Sequence, residues 1–379
     1  MNPTRPAPAP PRTGPGLANV RHLLAVSSCK GGVGKSTVAV NLACSLSNLG
    51  MRVGIFDADI YGPSLPTLID AGRPELFQRA GLIVPMVYQD MKLMSFGYLD
   101  PDQSGSAAIL RGPRVSQVLN QLLTGTDWGE LDVLVIDYPP GTGDIQLTLS
   151  QIVPISGAVI VTTPQQLSFV DVVKGISMFD QLSVPTLAVV ENMSFFRCPK
   201  CGEATRIFGE GARRKLVEQY GYSESLEIPV VAEISVQGDA GRPYVWAHPE
   251  TEVSKSYLKL AEVVRRDLHK MAAGGLPIPR LSYNVGQAML LTLPDGTEHE
   301  FTPASLRRAC RCAHCVDENT GQPKLNPAEV SEDVYPVQVN AAGNYAASVQ
   351  WSDGHTTSIY PFSTLLAGIR DGRLEKPAS

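Results

Sequence analysis

The stretch SSCKGGVGKST, residues 27–37, directly follows a short apolar run, HLLAV, at residues 22–26. It matches the phosphate-binding pattern G-x-x-x-x-G-K-[ST] except at its first position, where Cys29 replaces glycine. In a strand–loop–helix unit of this kind, backbone N–H groups and the N-terminus of the helix surround a phosphate. The stretch therefore predicts a nucleotide-binding loop between a buried strand and a helix that begins near Lys35.

The residue types in this loop indicate individual roles. Lys35 offers a cation to the β- and γ-phosphates, Ser36 offers a hydroxyl to Mg²⁺, and Thr37 lies within reach of the α-phosphate. Cys29 opens the loop, where we expect a packed thiol that takes no part in chemistry. The predicted loop contacts to nucleotide are Cys29, Lys30, Gly31, Gly32, Val33, Gly34, Lys35, Ser36 and Thr37.

Acidic residues at the ends of two other apolar runs support a nucleotide site. Asp57 and Asp59 close RVGIFDAD (residues 52–59), and Asp137 closes the run VLVID. Ligands of parallel sheets bind at the carboxyl ends of the strands, so these acids are expected beside the loop. We expect Asp137 to hold Mg²⁺ through water and Asp59 to orient the attacking water. Together with Lys30 and Lys35, they are the predicted catalytic residues.

The pattern of apolar and polar residues along the chain predicts two domains. Within residues 21–272 the runs HLLAVSS, RVGIFDAD, DVLVIDYP, GAVIVTTP and TLAVVENM are apolar almost throughout, as in strands buried on both faces, and helical patterns separate them. This favours an α/β domain with a mostly parallel sheet flanked by helices. After a linker at residues 273–280, alternating segments with Asp-Gly turns predict a small β-rich domain over residues 281–372.

The two ends of the chain differ from these domains. Residues 1–20 are rich in proline and lack the apolar segment of a secretory signal. They indicate a disordered leader or the cut end of a longer precursor, and residues 373–379 form a short tail.

Composition excludes some classes of partner. The net charge of −5 argues against an extended nucleic-acid surface, and no apolar run approaches the roughly 18 residues that span a bilayer. We expect a soluble protein with neither nucleic acid nor membrane as a partner. Seven cysteines without a secretory signal indicate a reducing compartment, where clustered thiols more often hold metal than form disulfides.

The first cysteine cluster is the C-x-x-C of Cys198 and Cys201 in FFRCPKCGEA, residues 195–204. Two thiolates complete neither a tetrahedral zinc site nor a [4Fe–4S] cluster, which each need four ligands. Three interpretations stay open on the residues alone: a redox disulfide, a zinc knuckle with two further ligands, and a site shared across a two-fold axis. The shared site needs the fewest additional residues, because an isologous interface repeats the same pair.

The second cluster, CRCAHC, supplies three thiolates, from Cys310, Cys312 and Cys315. A Cys₃His zinc site would need one further ligand. His314 lies between two of the cysteines, where simultaneous ligation is strained, whereas His355 follows a predicted hairpin turn about forty residues on. A second iron–sulfur site, or plain packing of three thiols, are the alternatives.

Longer strings point to a known family. CKGGVGKST, with its additional lysine Lys30, resembles the deviant Walker A motif of the nitrogenase-iron-protein/MinD class of P-loop ATPases. FDADIYGPSLP, VIDYPPGTGDIQLTL, VTTPQQLSFVDVVKG and ENMSFF resemble one branch, the Mrp/ApbC iron–sulfur cluster carriers, over about residues 19–266. The resemblance implies that Lys30 reaches phosphates across a homodimer and that Asn192 contacts adenine. It also implies that Cys198 and Cys201 of two chains bridge one [4Fe–4S] cluster.

The C-terminal segment resembles the zinc-binding domain at the N-terminus of γ-butyrobetaine hydroxylase. This implies a zinc site with Cys310, Cys312, Cys315 and His355 as ligands. The order of the two domains resembles the plastid high-chlorophyll-fluorescence branch of Mrp-like proteins. That resemblance implies the plastid stroma; otherwise the cytoplasm or the mitochondrial matrix is expected.

These expectations combine into one function. The chain is expected to be a slow ATP hydrolase whose homodimer receives [4Fe–4S] clusters from upstream scaffolds and passes them to apo iron–sulfur proteins, with ATP, Mg²⁺ and Zn²⁺ as its other ligands. One alternative is a MinD/ParA-like positioning ATPase, which would need a basic amphipathic helix or basic patch. Another is a nucleotide-regulated zinc or general metal chaperone.

Overall fold

The computed structural model describes residues 14–74, 77–99, 112–141, 144–209, 225–273, 278–284, 286, 288–312, 314–317 and 322–377. Most of the predicted leader, residues 274–277 of the predicted linker and the last two residues of the tail lie outside this set.

A large sheet organises the N-terminal two thirds of the chain. Its strands are β1 (Leu23–Ser27), β2 (Val53–Asp57), β5 (Met86–Tyr88), β6 (Met91–Ser95), β7 (Val133–Asp137), β8 (Gly157–Thr162), β9 (Thr186–Arg197), β10 (Ala204–Thr205) and β11 (Ser225–Val230), while β3 (Gln78–Arg79) and β4 (Leu82–Ile83) form a separate hairpin. The order is β10-β9-β8-β1-β7-β2-β6-β5, and β11 also pairs with β9. Only β5 and β10 run antiparallel to their neighbours within the described sheet. The mostly parallel sheet predicted from the sequence is confirmed.

Helices cover both faces of this sheet. They are α1 (Lys35–Asn48), α2 (Leu65–Leu68), α3 (Gly112–Gly125), α4 (Asp144–Ile152), α5 (Gln166–Gln181), α6 (Ala232–Asp239), α7 (Tyr244–Ala247) and α8 (Glu252–Ala272), with short 3₁₀ turns at Pro15–Leu17 and Phe96–Tyr98. Alternate residues of β1 serve opposite cores: Leu24 and Val26 pack in the layer under α1 and α8, whereas Leu23 and Ala25 pack in the layer under α3 and α5. Burial on both faces explains why the strand sequence is apolar throughout.

The C-terminal part contains two three-stranded antiparallel sheets. One is formed by β12 (Arg280–Tyr283), β13 (Met289–Thr292) and β14 (Glu298–Phe301), and the other by β15 (Pro336–Ala342), β16 (Ala346–Trp351) and β17 (Ser358–Pro361). Two helices, α9 (Pro303–Arg308) and α10 (Phe362–Arg370), and a 3₁₀ turn at Pro327–Glu329 complete it. Its own core includes Phe301, Leu306 and Trp351. The predicted β-rich structure of this part is confirmed, while the exact domain bounds stay a prediction.

No described helix combines the length and the apolarity that crossing a bilayer would require.

The turn between β15 and β16 contacts the larger part of the molecule. Tyr345 donates its hydroxyl to Asp180 Oδ2 at the end of α5 over 3.3 Å. Asn344 Nδ2 donates to the carbonyl of Thr186, the first residue of β9, over 3.4 Å. Burial raises the pKa of Asp180 to about 6, and the Tyr345 hydrogen bond opposes this rise. A carboxyl group is therefore partly withdrawn from water where the two parts of the chain meet.

This contact predicts a specific pH dependence of stability. Because the folded pKa of Asp180 exceeds its unfolded value, the stability that it contributes is complete below about pH 4 and is lost as the pH rises through about 6. Asparagine stays uncharged at every pH. The melting temperature of the wild type minus that of Asp180→Asn should therefore decrease as the pH rises from about 4 to about 6. Thermal melts at stepped pH measure it. A pH-independent difference between the two proteins would contradict the assignment.

Candidate nucleotide site and cysteine centres

The predicted phosphate loop lies between the end of β1 and the start of α1. Its last glycine, Gly34, has φ +80° and precedes Lys35, the first residue of the helix. Asn192 of β9 donates its side-chain amide to the Val33 carbonyl over 2.8 Å. A Cβ atom on Gly34 would lie 2.3 Å from Asn192 Nδ2. The loop is therefore held from behind by β9, and only glycine fits at position 34.

A buried ion pair lies at the end of the loop. The Lys35 ammonium pairs with the Asp137 carboxylate at the end of β7 and donates to Ser36 Oγ over 3.2 Å. Ser36 also hydrogen-bonds Asp137, whose pKa burial raises and Lys35 lowers. A hydroxyl and a carboxylate oxygen are ligands that Mg²⁺ prefers in proteins. The donor set at this point fits the predicted Mg²⁺.

Asp57 organises the neighbouring loop, a role that its position at a strand end did not reveal. Its carboxylate accepts hydrogen bonds from the backbone N–H groups of Asp59, Ser64 and Leu65 at 3.0, 2.9 and 3.1 Å, and from Ser95 Oγ at 3.0 Å. Burial and the nearby Asp137 charge raise the pKa of Asp57 to about 7. Asp57 thus acts as the acceptor around which the segment after β2 folds.

A cleft of about 410 Å³ opens in front of the phosphate loop. Most of the predicted nucleotide residues and Asp59 line it, together with residues of the segment that Asp57 organises. The lining residues are Ser28, Lys30, Gly31, Gly32, Gly34, Lys35, Ser36, Thr37, Asp59, Pro63, Ser64, Thr67, Leu68 and Pro140.

Two loop residues point elsewhere. Cys29 packs toward α5, since a Cβ atom on Gly175 would lie 2.6 Å from its sulfur. Cys29 and Val33 do not line the cleft, and neither do Asn192 and Asp137 behind it. The Lys30 side chain is exposed, and its ammonium donates to Gln165 Oε1 over 3.3 Å.

The C-x-x-C pair lies at the tip of the ribbon formed by β9 and β10. Cys198 follows the last residue of β9, and its backbone N–H donates to Glu203 O over 2.9 Å, which closes the turn. Cys198 is half-buried and Cys201 is exposed. Backbone N–H groups of Cys201 and Lys200 lower the pKa of Cys198. The turn thus presents two accessible sulfurs, one of which is biased toward the thiolate.

Exposed apolar side chains flank this turn along the chain. Phe196, Ile207 and Phe208 are 38%, 55% and 38% exposed, which is high for large apolar residues. Arg197 lies over the Phe195 ring, 5.6 Å from its centroid, and donates to Gly202 O over 3.1 Å. The cysteine turn is therefore flanked on both sides along the chain by exposed apolar residues.

The second cluster gathers the four predicted ligands. The donor atoms of Cys310, Cys312, Cys315 and His355 lie within 4.8 Å of one another. His355 Nε2 lies 3.4, 3.3 and 3.7 Å from the three sulfurs in that order. A tetrahedral site with zinc–sulfur bonds of about 2.3 Å and a zinc–nitrogen bond of about 2.0 Å separates sulfur and nitrogen by about 3.5 Å. The geometry fits a Cys₃His zinc site, and His314, which is exposed, lies outside it.

Comparison with known protein families covers both the nucleotide site and the cysteine–histidine cluster. Residues 19–265 match the family model of the NUBPL iron-transfer P-loop NTPases, which is more than half of the chain. The chain belongs to the NUBPL iron-transfer P-loop NTPase family. Residues 283–366 match the model of the γ-butyrobetaine hydroxylase-like N-terminal domain.

Several relatives of this NUBPL-family chain are similar over long stretches. It is 45% identical over 354 residues to the rice (Oryza sativa subsp. japonica) protein named Fe-S cluster assembly factor HCF101, chloroplastic, an alignment that covers 92% of this chain and 65% of that protein. It is 49% identical over 257 residues to the Haemophilus influenzae iron-sulfur cluster carrier protein, covering 67% and 69% of the two chains. The chain thus spans about 65% of the length of the chloroplast relatives.

One solved structure resembles the larger part. The nucleotide-binding protein of Archaeoglobus fulgidus in complex with ADP is 38% identical, with a TM-score of 0.54, and the match covers 61% of this chain and 90% of that one. The predicted resemblance and the P-loop NTPase fold are confirmed, whereas the roles of individual residues stay predictions.

The Gly34–Asn192 contact predicts the effect of a single methyl group. Gly34→Ala should lower the melting temperature and weaken ADP binding at least about tenfold, because the side chain meets Asn192 and φ is positive. Calorimetry measures both. Gly50→Ala is the matched control, since Gly50 has φ +81° but nothing within 4 Å of the added Cβ. It should cost only about 1 kcal/mol of stability and leave ADP affinity unchanged; equal effects of the two variants would contradict the account.

Proposed function

We propose that this chain is an ATP-hydrolysing carrier that binds a [4Fe–4S] cluster between two copies of itself and delivers it to apo iron–sulfur proteins. The observation that carries the proposal is the course of β9. This strand passes the phosphate loop at Asn192 and ends at Arg197, directly before Cys198. One continuous strand thus connects a nucleotide cleft with an accessible pair of thiols. The names of the rice and Haemophilus relatives support the same function.

The nucleotide cleft supports a hydrolytic role for the chain. Lys35 and the loop N–H groups would bind the β- and γ-phosphates, where the negative charge develops. Ser36 and Asp137 would hold Mg²⁺, which neutralises charge on the phosphates when bound. Asp59, at the cleft wall and hydrogen-bonded to Gly62 N over 3.1 Å, would orient the attacking water. The adenine contact predicted for Asn192 would require its side-chain amide to leave the Val33 carbonyl, because Asn192 lies behind the cleft.

The stoichiometry of the ligands supports a homodimer. Cys198 and Cys201 supply two of the four thiolates that a [4Fe–4S] cluster takes, and a two-fold axis at the turn would supply the other two. The exposed Phe196, Ile207 and Phe208 are the apolar surface such an interface would bury. Lys30, which is exposed at the mouth of the cleft, would reach the phosphates of the partner's nucleotide.

The C-terminal domain would hold a structural Zn²⁺ at Cys310, Cys312, Cys315 and His355. Burial raises the pKa of Cys310 and raises that of Cys315 to about 12, so a bound cation is what would keep these sulfurs ionised. The chloroplast relatives favour the plastid stroma as the compartment of this chain.

Metal analysis tests the carrier proposal. After anaerobic reconstitution, the wild type should hold about two irons and two sulfides per chain, because one four-iron cluster is shared by two chains. The double variant Cys198→Ala/Cys201→Ala should lose this iron and keep about one zinc. Cys29→Ala, which removes a thiol packed on α5, is the control and should keep both metals. An iron-free wild type with zinc at both clusters would contradict the proposal.

Mixing two inactive variants tests whether Lys30 acts across the dimer. Lys30→Ala and Asp59→Ala should each abolish hydrolysis, yet a mixed dimer would contain one site with both groups intact. Equal mixing should therefore restore about a quarter of wild-type ATPase, since half of the dimers are mixed and half of their sites are complete. A mixture of Lys35→Ala and Asp59→Ala should stay inactive, because both groups act within one chain. No recovery in the first mixture would overturn the role of Lys30.

A further inference from the structure

Polar side chains contact the sulfur atoms of the cysteine–histidine cluster. Ser358 Oγ lies 3.3 Å from Cys310 Sγ and also accepts the indole N–H of Trp351 over 3.0 Å. A thiolate has no proton to donate, so the serine hydroxyl is the donor when Cys310 is ionised. Thr357 Oγ1 donates to Cys312 Sγ over 3.4 Å. Two of the three sulfurs thus accept hydrogen bonds from neutral hydroxyl groups.

The third sulfur faces a cation. Arg307 Nη1 donates to Cys315 Sγ over 3.5 Å, and Arg307 Nε donates to Asp353 Oδ2 over 2.8 Å. The other oxygen of Asp353 accepts the backbone N–H of His355 over 3.0 Å. Arg307 therefore contacts one predicted ligand, Cys315, directly. Through the Asp353 carboxylate it also holds the turn that carries a second predicted ligand, His355.

The burial of Arg307 makes this arrangement informative. Its side chain is only 7% exposed, and a guanidinium group does not lose its proton in proteins. A buried cation needs anions around it, and Asp353, itself 35% exposed, is shared with solvent. A neutral thiol would not compensate the charge, whereas a thiolate would. Zn²⁺ with three thiolates and a neutral imidazole carries one net negative charge, which Arg307 offsets.

We propose that Arg307 is a positioning residue for metal retention in this domain. Its guanidinium stabilises the Cys315 thiolate and, through Asp353, fixes the turn that presents His355. The ligand it serves is a thiolate-binding divalent cation, and the proposal rests on the proposed zinc site. With a donor on each sulfur, the cluster holds its metal as a closed structural site instead of handing it on.

Zinc release from the intact chain tests this role. We expect Arg307→Met to release zinc to a chromogenic chelator roughly 10–100-fold faster than the wild type, and Arg307→Lys to restore part of the retention. In the Co²⁺-loaded chain, Arg307→Met should also shift the sulfur-to-cobalt charge-transfer band, which a purely structural role would leave in place.

Arg308→Met is the matched control. Arg308 lies on the same helix but donates to the carbonyls of Pro327 and Val330, away from the sulfurs. It should change neither the release rate nor the cobalt band. Release and spectrum of Arg307→Met that equal those of Arg308→Met would overturn the proposal.

A second variant keeps the test decisive if Arg307→Met does not fold. Asp353→Asn removes the carboxylate charge at a partly exposed turn and leaves the core intact. It should also speed zinc release, and an unchanged rate would count against the proposed connection to His355. A wild-type chain that binds no zinc would instead overturn the zinc site itself. That result differs from a chain that binds zinc tightly and releases it at the same rate with and without Arg307.

Discussion

The ion pair between Lys35 and Asp137 is the interaction on which the nucleotide side of the molecule depends. The two side chains are only 7% and 5% exposed. Removing one partner of such a pair leaves a buried charge without compensation, at a cost of about 3–5 kcal/mol. Lys35 begins α1 and Asp137 ends β7, the neighbour of β1, so the pair ties the phosphate loop to the adjacent strand. The loop is thereby shaped by charges inside the protein as well as by its glycines.

The second organising element is β9. The strand starts at Thr186, whose carbonyl accepts Asn344 of the C-terminal domain, and it contacts the phosphate loop through Asn192. It then leaves the body of the sheet and ends beside Cys198. A displacement of the loop would therefore act on the cysteine turn through one hydrogen-bonded strand. In the proposed carrier, this strand is the physical route by which hydrolysis biases cluster binding between two dimer states.

The sequence predicted the parts of this structure that are local. Strands buried on both faces are continuous apolar runs, and the phosphate loop has residue types that few other structures require, so β1, β2, β7, β8 and β9 were predictable. The strand β6 was missed, since its sequence, MKLMS, is interrupted by a lysine, whose ammonium reaches the Asp127 carbonyl. The strand β11 was missed as well.

The supporting residues of the sites were less predictable, because they join distant positions. Asn192 lies 159 residues from Val33, and Arg307 lies 46 residues from Asp353. No periodicity or motif spacing encodes such pairs. In the sequence, an arginine close to three cysteines is only a weak signal of a supporting role. Its meaning became clear once the fold placed the buried Arg307 guanidinium against a cysteine sulfur.

Native mass spectrometry of the anaerobically reconstituted chain tests the central claim most directly, because one spectrum reports chain stoichiometry and every bound metal. The account predicts two chains with a single [4Fe–4S] cluster and two zinc ions, and separation into monomers that each keep one zinc when Cys198 and Cys201 are replaced. A monomer that carries zinc at both cysteine clusters and no iron would contradict it.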